Sequence, residues 1–302
     1  MMNVEQLNSQ HGMADQVIFE TGEGGLPFIR VKNGNATALI SIYGGQVLAF
    51  QPKSTGSDLL FLSKLAYYQS GKAIKGGVPI CWPWFGPDPE GLNRPAHGFV
   101  RNRLWEVVET AGTAEGHIRV VLGLSDTPET QAIWPRSFVL RLEITVGKSL
   151  NLALVTRNTG SQAFAITQAF HTYFNAGDIR QVKVSGLENT QYIDKVNDNQ
   201  QINQLDDVTI NSEVDRIYLN VDNELVVQDA ALKRRIHITS KGNRTAVVWN
   251  PWAKISAEMA DLQDDDYQHF ICVETTNAAT DSINIQPGSE FRLVAHYQIE
   301  QA

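Results

Sequence analysis

The sequence is short of cysteine. Only Cys81 and Cys272 occur among 302 residues. Two are too few for a disulfide framework, and with apolar neighbours both read as buried thiols rather than metal ligands. No basic residue precedes Arg30, so a positively charged secretory start is not expected. No apolar run approaches the roughly 18 residues that a membrane span needs. Positive charge is also scarce: 25 Lys and Arg stand against 33 Asp and Glu, a net charge of −8. Nucleic-acid partners ordinarily demand a basic face, so none is expected. An anionic small ligand stays open, because a local cluster can override the global sign. These absences point to a soluble, reduced, cytoplasmic protein without a membrane partner.

Several chemical signatures are missing too. There is no Gly-Lys-Ser/Thr phosphate loop, no Gly-x-Gly-x-x-Gly and no Gly-x-Ser-x-Gly. No His/Cys pairs have zinc spacing, so no metal site is expected. Asp261, Asp264, Asp265 and Asp266 lack calcium-loop spacing and read as a solvated turn. Helical periodicity long enough to alternate with strands is absent, which excludes a doubly wound α/β fold.

What remains is strand. Phe138, Leu140, Leu142, Ile144 and Val146 alternate with Val139, Arg141, Glu143 and Thr145. Leu150, Leu152 and Leu154 repeat the period, as do Phe291, Leu293, Ala295, Tyr297 and Ile299. Such alternation puts one face on a core and one toward water. Gly and Asn turns punctuate the runs, as at Lys32-Asn33-Gly34-Asn35 and Lys241-Gly242-Asn243, which suggests an all-β sandwich or barrel. One short helix is predicted near Thr127–Ile133, with Pro128 at its first position. A strand is expected over 164–170. Hydrophobic residues are 42% and charged residues 19%, the balance of a globular chain. Residues 16–302 read as one domain, and residues 1–15 as a loose arm or a short docking helix.

One segment breaks the pattern. Pro79, Pro83, Pro87, Pro89 and Pro95 crowd together among glycines, with Trp82, Trp84 and Phe85 between them. Proline cannot donate to a ladder, so no long strand fits here. A rigid aromatic loop suits the wall of a cleft; a connection across the end of a sandwich would look the same.

Three places carry candidate chemistry. His171 follows a strand and titrates near neutral pH, so it reads as a proton-transfer group or as a satisfied core histidine. Glu274 ends an apolar run, where a carboxylate is expensive to bury unless paired or functional. It is either a base at the rim of a sheet or the strand's exit to solvent. Lys75, His97, Arg101 and Arg103 bracket the proline loop, a cluster that fits a bound anion such as phosphate or plain surface charge.

These residues lie in segments that resemble a known family. Ala73-Ile-Lys-Gly-Gly-Val-Pro-Ile-Cys-Trp-Pro-Trp-Phe-Gly86, Pro95-Ala-His-Gly-Phe-Val-Arg101, His171-Thr-Tyr-Phe-Asn-Ala-Gly-Asp178 and Val273-Glu274-Thr look like the D-hexose-6-phosphate mutarotases among the aldose 1-epimerase-like proteins. Asp194-Lys-Val-Asn-Asp198, Asp215-Arg-Ile-Tyr-Leu-Asn220 and Trp249-Asn-Pro251 add to the likeness. The resemblance implies a galactose-mutarotase-like β-supersandwich of mostly antiparallel strands. It also implies interconversion of the α and β anomers of a hexose 6-phosphate, glucose 6-phosphate first among them, without a cofactor. By the same resemblance His171 and Glu274 match the catalytic pair, while Asp215, His97 and Arg101 match substrate contacts. Lys75 stands where the family commonly has arginine; it keeps the charge and loses the bidentate fork. A monomer with a small sugar phosphate as its partner is expected.

The residue types suit that chemistry. Ring opening takes a proton from the anomeric hydroxyl and delivers one to the ring oxygen, with Glu274 as base and a protonated His171 as acid. A carboxylate close to His171, with Asp215 as a candidate, is expected to hold the imidazole charged; Asp215 equally suits contact with sugar hydroxyls. Trp82, Phe85 and Trp249 are candidates to pack on the sugar or within the core. Two alternatives stand beside this reading: an aldose 1-epimerase for unphosphorylated hexoses, and a non-catalytic sugar-phosphate-binding protein. A glycoside hydrolase ranks lower, because it needs two suitably placed carboxylates.

Overall fold

In the computed structural model, which describes residues 3–301, alternating sequence has become antiparallel sheet. The larger sheet has nine strands. In spatial order these are Val208–Thr209, Val182–Ser185, Glu224–Asp229, Arg234–Lys241, Glu290–Gln301, Leu150–Asn158, Phe138–Val146, Ile118–Ser125 and Glu106–Gly112. The second sheet runs Gln200–Asn203, Gln191–Asp194, Val214–Leu219, Thr245–Asn250, Phe270–Asn277, Gln168–Phe170 and Ile80–Cys81, and Tyr173–Asn175 also pairs with Phe270–Asn277. A four-stranded meander (Val17–Thr21, Pro27–Lys32, Ala36–Ser41, Gln46–Pro52) precedes both.

The main core lies between the two large sheets. Phe138, Leu140, Leu142, Ile144 and Val146 face it from one side, and Val214, Tyr218, Val248, Ile271 and Val273 from the other. Fully burying one such side chain is worth about 1.5–3 kcal/mol, so alternation fixes which face turns inward. The consequence for the site is direct. On the Phe270–Asn277 strand, Ile271 and Val273 belong to the main core. Phe270 and Cys272 point the other way, into a smaller cluster with Phe61, Tyr173 and Trp249. Side chains two apart share a face, so Glu274 projects with Cys272 onto this outer surface.

The helix expected near Thr127 spans Pro128–Ile133, with Thr127 as N-cap in a capping box. One expectation is corrected. The run 164–170 is two strands: Phe164–Ile166 pairs with Ile283–Ile285, whereas Gln168–Phe170 joins the second large sheet. Thr167 breaks it, because its backbone N–H goes to Pro83 O and its hydroxyl accepts from Phe85 N–H. Of the two readings of the N-terminal segment, loose arm or short helix, the structure has the helix, over Val4–His11. Asn3 caps it, Leu7 is buried, and Asn8 exchanges two hydrogen bonds with the Phe19 backbone at 2.7 and 2.8 Å. Residues 1 and 2 of that segment lie outside the described residues. Among the described residues, no helix is long and apolar enough to cross a membrane.

Candidate active site

The proline loop is tied at its base. His97 N–H donates to Gly86 O, Trp82 N–H to His97 O and Phe99 N–H to Trp82 O. The closure depends on two left-handed residues, His97 (φ 64°) and Gly98 (φ 72°). A Cβ on Gly98 would collide with the Trp82 carbonyl oxygen, so only glycine fits. Inside the loop, Arg94 forks onto Asp88 at 3.0 and 2.5 Å, and its guanidinium lies 4.4 Å from the Trp84 ring. The loop is thus a rigid wall.

Against it stand the two proton-transfer candidates. His171 follows the Gln168–Phe170 strand, and its backbone N–H donates to Pro79 O at 3.0 Å. Its Nε2 lies 3.5 Å from Glu274 Oε1. The His171 side chain is 11% exposed and that of Glu274 1%. Glu274 therefore does not mark a strand exit, since the strand runs three residues further. His171 stacks on Tyr173 at 5.0 Å and meets Trp249 and His97 edge-on at 5.9 and 5.6 Å. Three polar atoms here are buried without a hydrogen-bond partner: His171 Nδ1, Glu274 Oε2 and Arg101 Nε. Buried polar groups are nearly always paired, so such a concentration marks a place built to receive polar atoms from elsewhere.

The protonation states run against expectation. A carboxylate beside His171 is expected to keep the imidazole charged. Instead, burial first, then His97, Arg101 and Lys75, push it well below its ordinary 6.5. Burial, reinforced by the Asp215 charge and opposed by Arg101, pushes Glu274 well above its ordinary 4.5. The desolvation of two charges outweighs their mutual attraction. Burial thus favours the neutral form of each partner.

The other predicted residues gather at the same place. His97 is held near 3 by burial and by the Arg101 and Lys75 charges. Its Nδ1 lies 3.3 Å from the Gly86 N–H, which assigns the proton to Nε2 as a free donor. Arg101, in the Val100–Asn102 turn, donates from Nη2 to Ala96 O at 3.0 Å. Lys75 lies 3.4 Å from Asp261. Asp215 aligns with Trp249, which in turn aligns with Cys272, so it sits two strands from the Phe270–Asn277 strand. Burial raises it to about 6. Its charge bears on Glu274, not on His171 as one expectation had it.

The aromatic candidates separate. Phe85 lies edge-on to His97 at 5.0 Å and packs with Ile217 and Val247. Trp249 flanks His171. Trp82 is 0% exposed, packed against Phe99, Trp134 and Phe138, with Nε1 donating to Thr156. It is a core residue with no surface to offer a sugar. Sequence reasoning missed Tyr173, Met259 and Asp261. Tyr173 had a signal, since it stands two residues after His171 in a quoted motif.

The site is thus an imidazole–carboxyl pair on the outer face of one sheet of a β-sandwich, walled by the proline loop and its flanking cations. The aldose 1-epimerase family model matches residues 27–298, and the chain belongs to that family. It is 38% identical over 256 residues to the "Putative glucose-6-phosphate 1-epimerase" of Escherichia coli K12, covering 84% of each. It is 36% identical over 269 residues to the protein of the same name from Cenchrus ciliaris, covering 85% of this chain and 80% of that one. A Salmonella typhimurium crystal structure described as a putative mutarotase superposes with TM-score 0.90 at 33% identity, over 97% and 96% of the two chains. A galactose mutarotase-like protein from Clostridium acetobutylicum, 15% identical, shares the fold at TM-score 0.72.

Proposed function

We propose that the protein interconverts the α and β anomers of a hexose 6-phosphate, glucose 6-phosphate first, with Glu274 and His171 moving the protons. The observation that carries this is the 3.5 Å pair of His171 and Glu274, buried beside two cations. Ring opening needs one proton removed and one delivered, and a pair that holds a single proton between them can do both in turn. Each positioned group typically contributes about 10²–10⁴-fold.

Substrate reverses the resting arrangement. Sugar hydroxyls supply the hydrogen bonds that Glu274 lacks, which favours its charged form. A phosphate on Lys75 and Arg101 offsets the charges that depress His171. Both effects move the proton from carboxyl to imidazole. Glu274 then takes the anomeric proton and His171 protonates the ring oxygen. After rotation about C1–C2 the same pair works in reverse. His97 Nε2 and Asp215 are placed in this reading to hold sugar hydroxyls, and Trp249 and Phe85 to flank the ring.

The test is the anomerisation of freshly dissolved α-glucose 6-phosphate, followed with a dehydrogenase that consumes only the β anomer. Glucose runs alongside, with Glu274→Gln as control. Acceleration of the phosphorylated sugar, lost in the variant, is expected. No acceleration by folded protein, or full activity in Glu274→Gln, refutes the reading.

A further inference from the structure

The aspartate run at 261–266 is only in part the solvated turn its spacing suggests: Asp264 and Asp265 are exposed, Asp261 and Asp266 are not. Asp266 is buried, accepting from Gln263 N–H at 2.8 Å and Ser63 Oγ at 3.3 Å. Leu262 is 2% exposed and packs in the cluster with Phe61, Tyr173 and Phe270 beneath the site. These anchors fix the turn against the sheet face. Asp261 is thereby held with Oδ1 3.4 Å from Lys75 Nζ, and Met259 Sδ lies 3.8 Å from the same ammonium. Both partners are largely screened from solvent, at 17% and 21% side-chain exposure. Arg101 is placed otherwise, bonded to a backbone carbonyl with Nε unpartnered.

The two cations therefore differ, and the difference comes from this chain's own residues. A guanidinium fork can hold two acceptors in fixed geometry, whereas an ammonium is a compact charge on a flexible stem. Lys75 can turn from one anion to another. We propose that Asp261 is a resident counter-ion for Lys75 that phosphate displaces on binding, and that it sets the preference for phosphorylated over unphosphorylated hexoses. This rests on the reading of Lys75 and Arg101 as the phosphate site. A neutral sugar leaves the Lys75–Asp261 pair intact. A phosphate must compete with the carboxylate and then sits beside it, so Asp261 weakens phosphate binding while sparing the neutral sugar.

Binding of glucose 6-phosphate by calorimetry and its anomerisation rate are measured together on the full chain. Asp261→Asn is expected to lower Kd and KM for glucose 6-phosphate by about three- to tenfold, with KM for glucose unchanged. Asp264→Asn makes the same charge change at an exposed position of the same turn and is expected to shift neither. In a Lys75→Gln background the Asp261→Asn effect should disappear, as coupling between two contacting groups requires. Unchanged or weaker binding in Asp261→Asn overturns the proposal, as does an equal gain in Asp264→Asn or a gain that survives in Lys75→Gln. Acceleration by wild type with no Asp261 effect sinks the counter-ion alone. Binding without acceleration sinks the mutarotase reading and leaves the counter-ion to be judged on Kd.

Discussion

Replacing Glu274 by Gln should abolish anomerisation and at the same time stabilise the protein. The carboxyl is 1% exposed and its Oε2 has no partner. Burial holds its pKa well above the unfolded value of 4.5, so the folded protein binds this proton more tightly than the unfolded chain does. The unfolded chain ionises it freely. Each pH unit between 4.5 and the raised folded value costs about 1.4 kcal/mol of folding free energy. The sign follows from a folded value above the unfolded one: the contribution is fully present below pH 4.5 and is lost as pH rises. Glutamine has nearly the same shape and nothing to titrate, and its amide replaces one unpartnered polar atom with another. Glu274→Gln is therefore expected to raise Tm at pH 7, by roughly 2 °C for each pH unit that separates the two values below that pH. Near pH 4.5 the gain should shrink to about 1 °C or less. Scanning calorimetry of both proteins at the two pH values checks it, and groups common to both cancel in the difference. A change in Tm that is the same at both pH values, or a variant less stable at both, would refute the reasoning.

Three further outcomes can be measured. Asp215 is raised to about 6 by burial, so its charged form prevails above that pH. kcat/KM for glucose 6-phosphate should fall as pH drops through about 6 more steeply than the substrate phosphate's own titration near that pH requires, and only the phosphate's share should remain in Asp215→Asn. Arg101→Ala should raise KM for glucose 6-phosphate about 10–100-fold, the worth of a lost charge-assisted contact, while KM for glucose stays put. Trp82→Phe leaves the Thr156 hydroxyl without its donor and opens a void in the core. It should cost about 2–4 kcal/mol in urea denaturation and leave KM for either sugar unaltered; a raised KM would restore Trp82 to the sugar site.

Much of the fold was legible because its signal is local. The alternation at Phe138–Val146 appears in the structure as alternating burial, and Pro128 opens the helix that its fixed φ favours. The break at Thr167 was not legible, because it depends on Pro83 and Phe85, some 80 residues away in sequence. Trp82 and Phe85 illustrate the same limit. Both are aromatic and both sit among prolines, yet one fills the core and the other borders His97. That choice depends on which sheet face each side chain meets, and a loop without period 2 carries no such information. Asp261 was misread for a related reason: a carboxylate in an acidic run looks solvated until the partner, Lys75, is brought to it across the fold.

The protonation of the pair was misjudged for a different reason. Sequence places a carboxylate near an imidazole and invites a Coulomb estimate, in which attraction keeps both charged. Burial enters that estimate twice. It strengthens the attraction between the two charges, and it removes the water that stabilised each of them. At 3.5 Å, with Glu274 Oε2 and His171 Nδ1 both lacking hydrogen bonds, the second effect is the larger and shifts both groups toward their neutral forms. A sugar phosphate carries what the site lacks: hydroxyls for the carboxylate and negative charge for the cations around the imidazole. Glucose carries the hydroxyls alone. The phosphate therefore acts on the acid as well as on binding, so phosphorylation of the substrate should raise kcat as well as lower KM. Equal kcat for the two sugars would show that the phosphate only anchors.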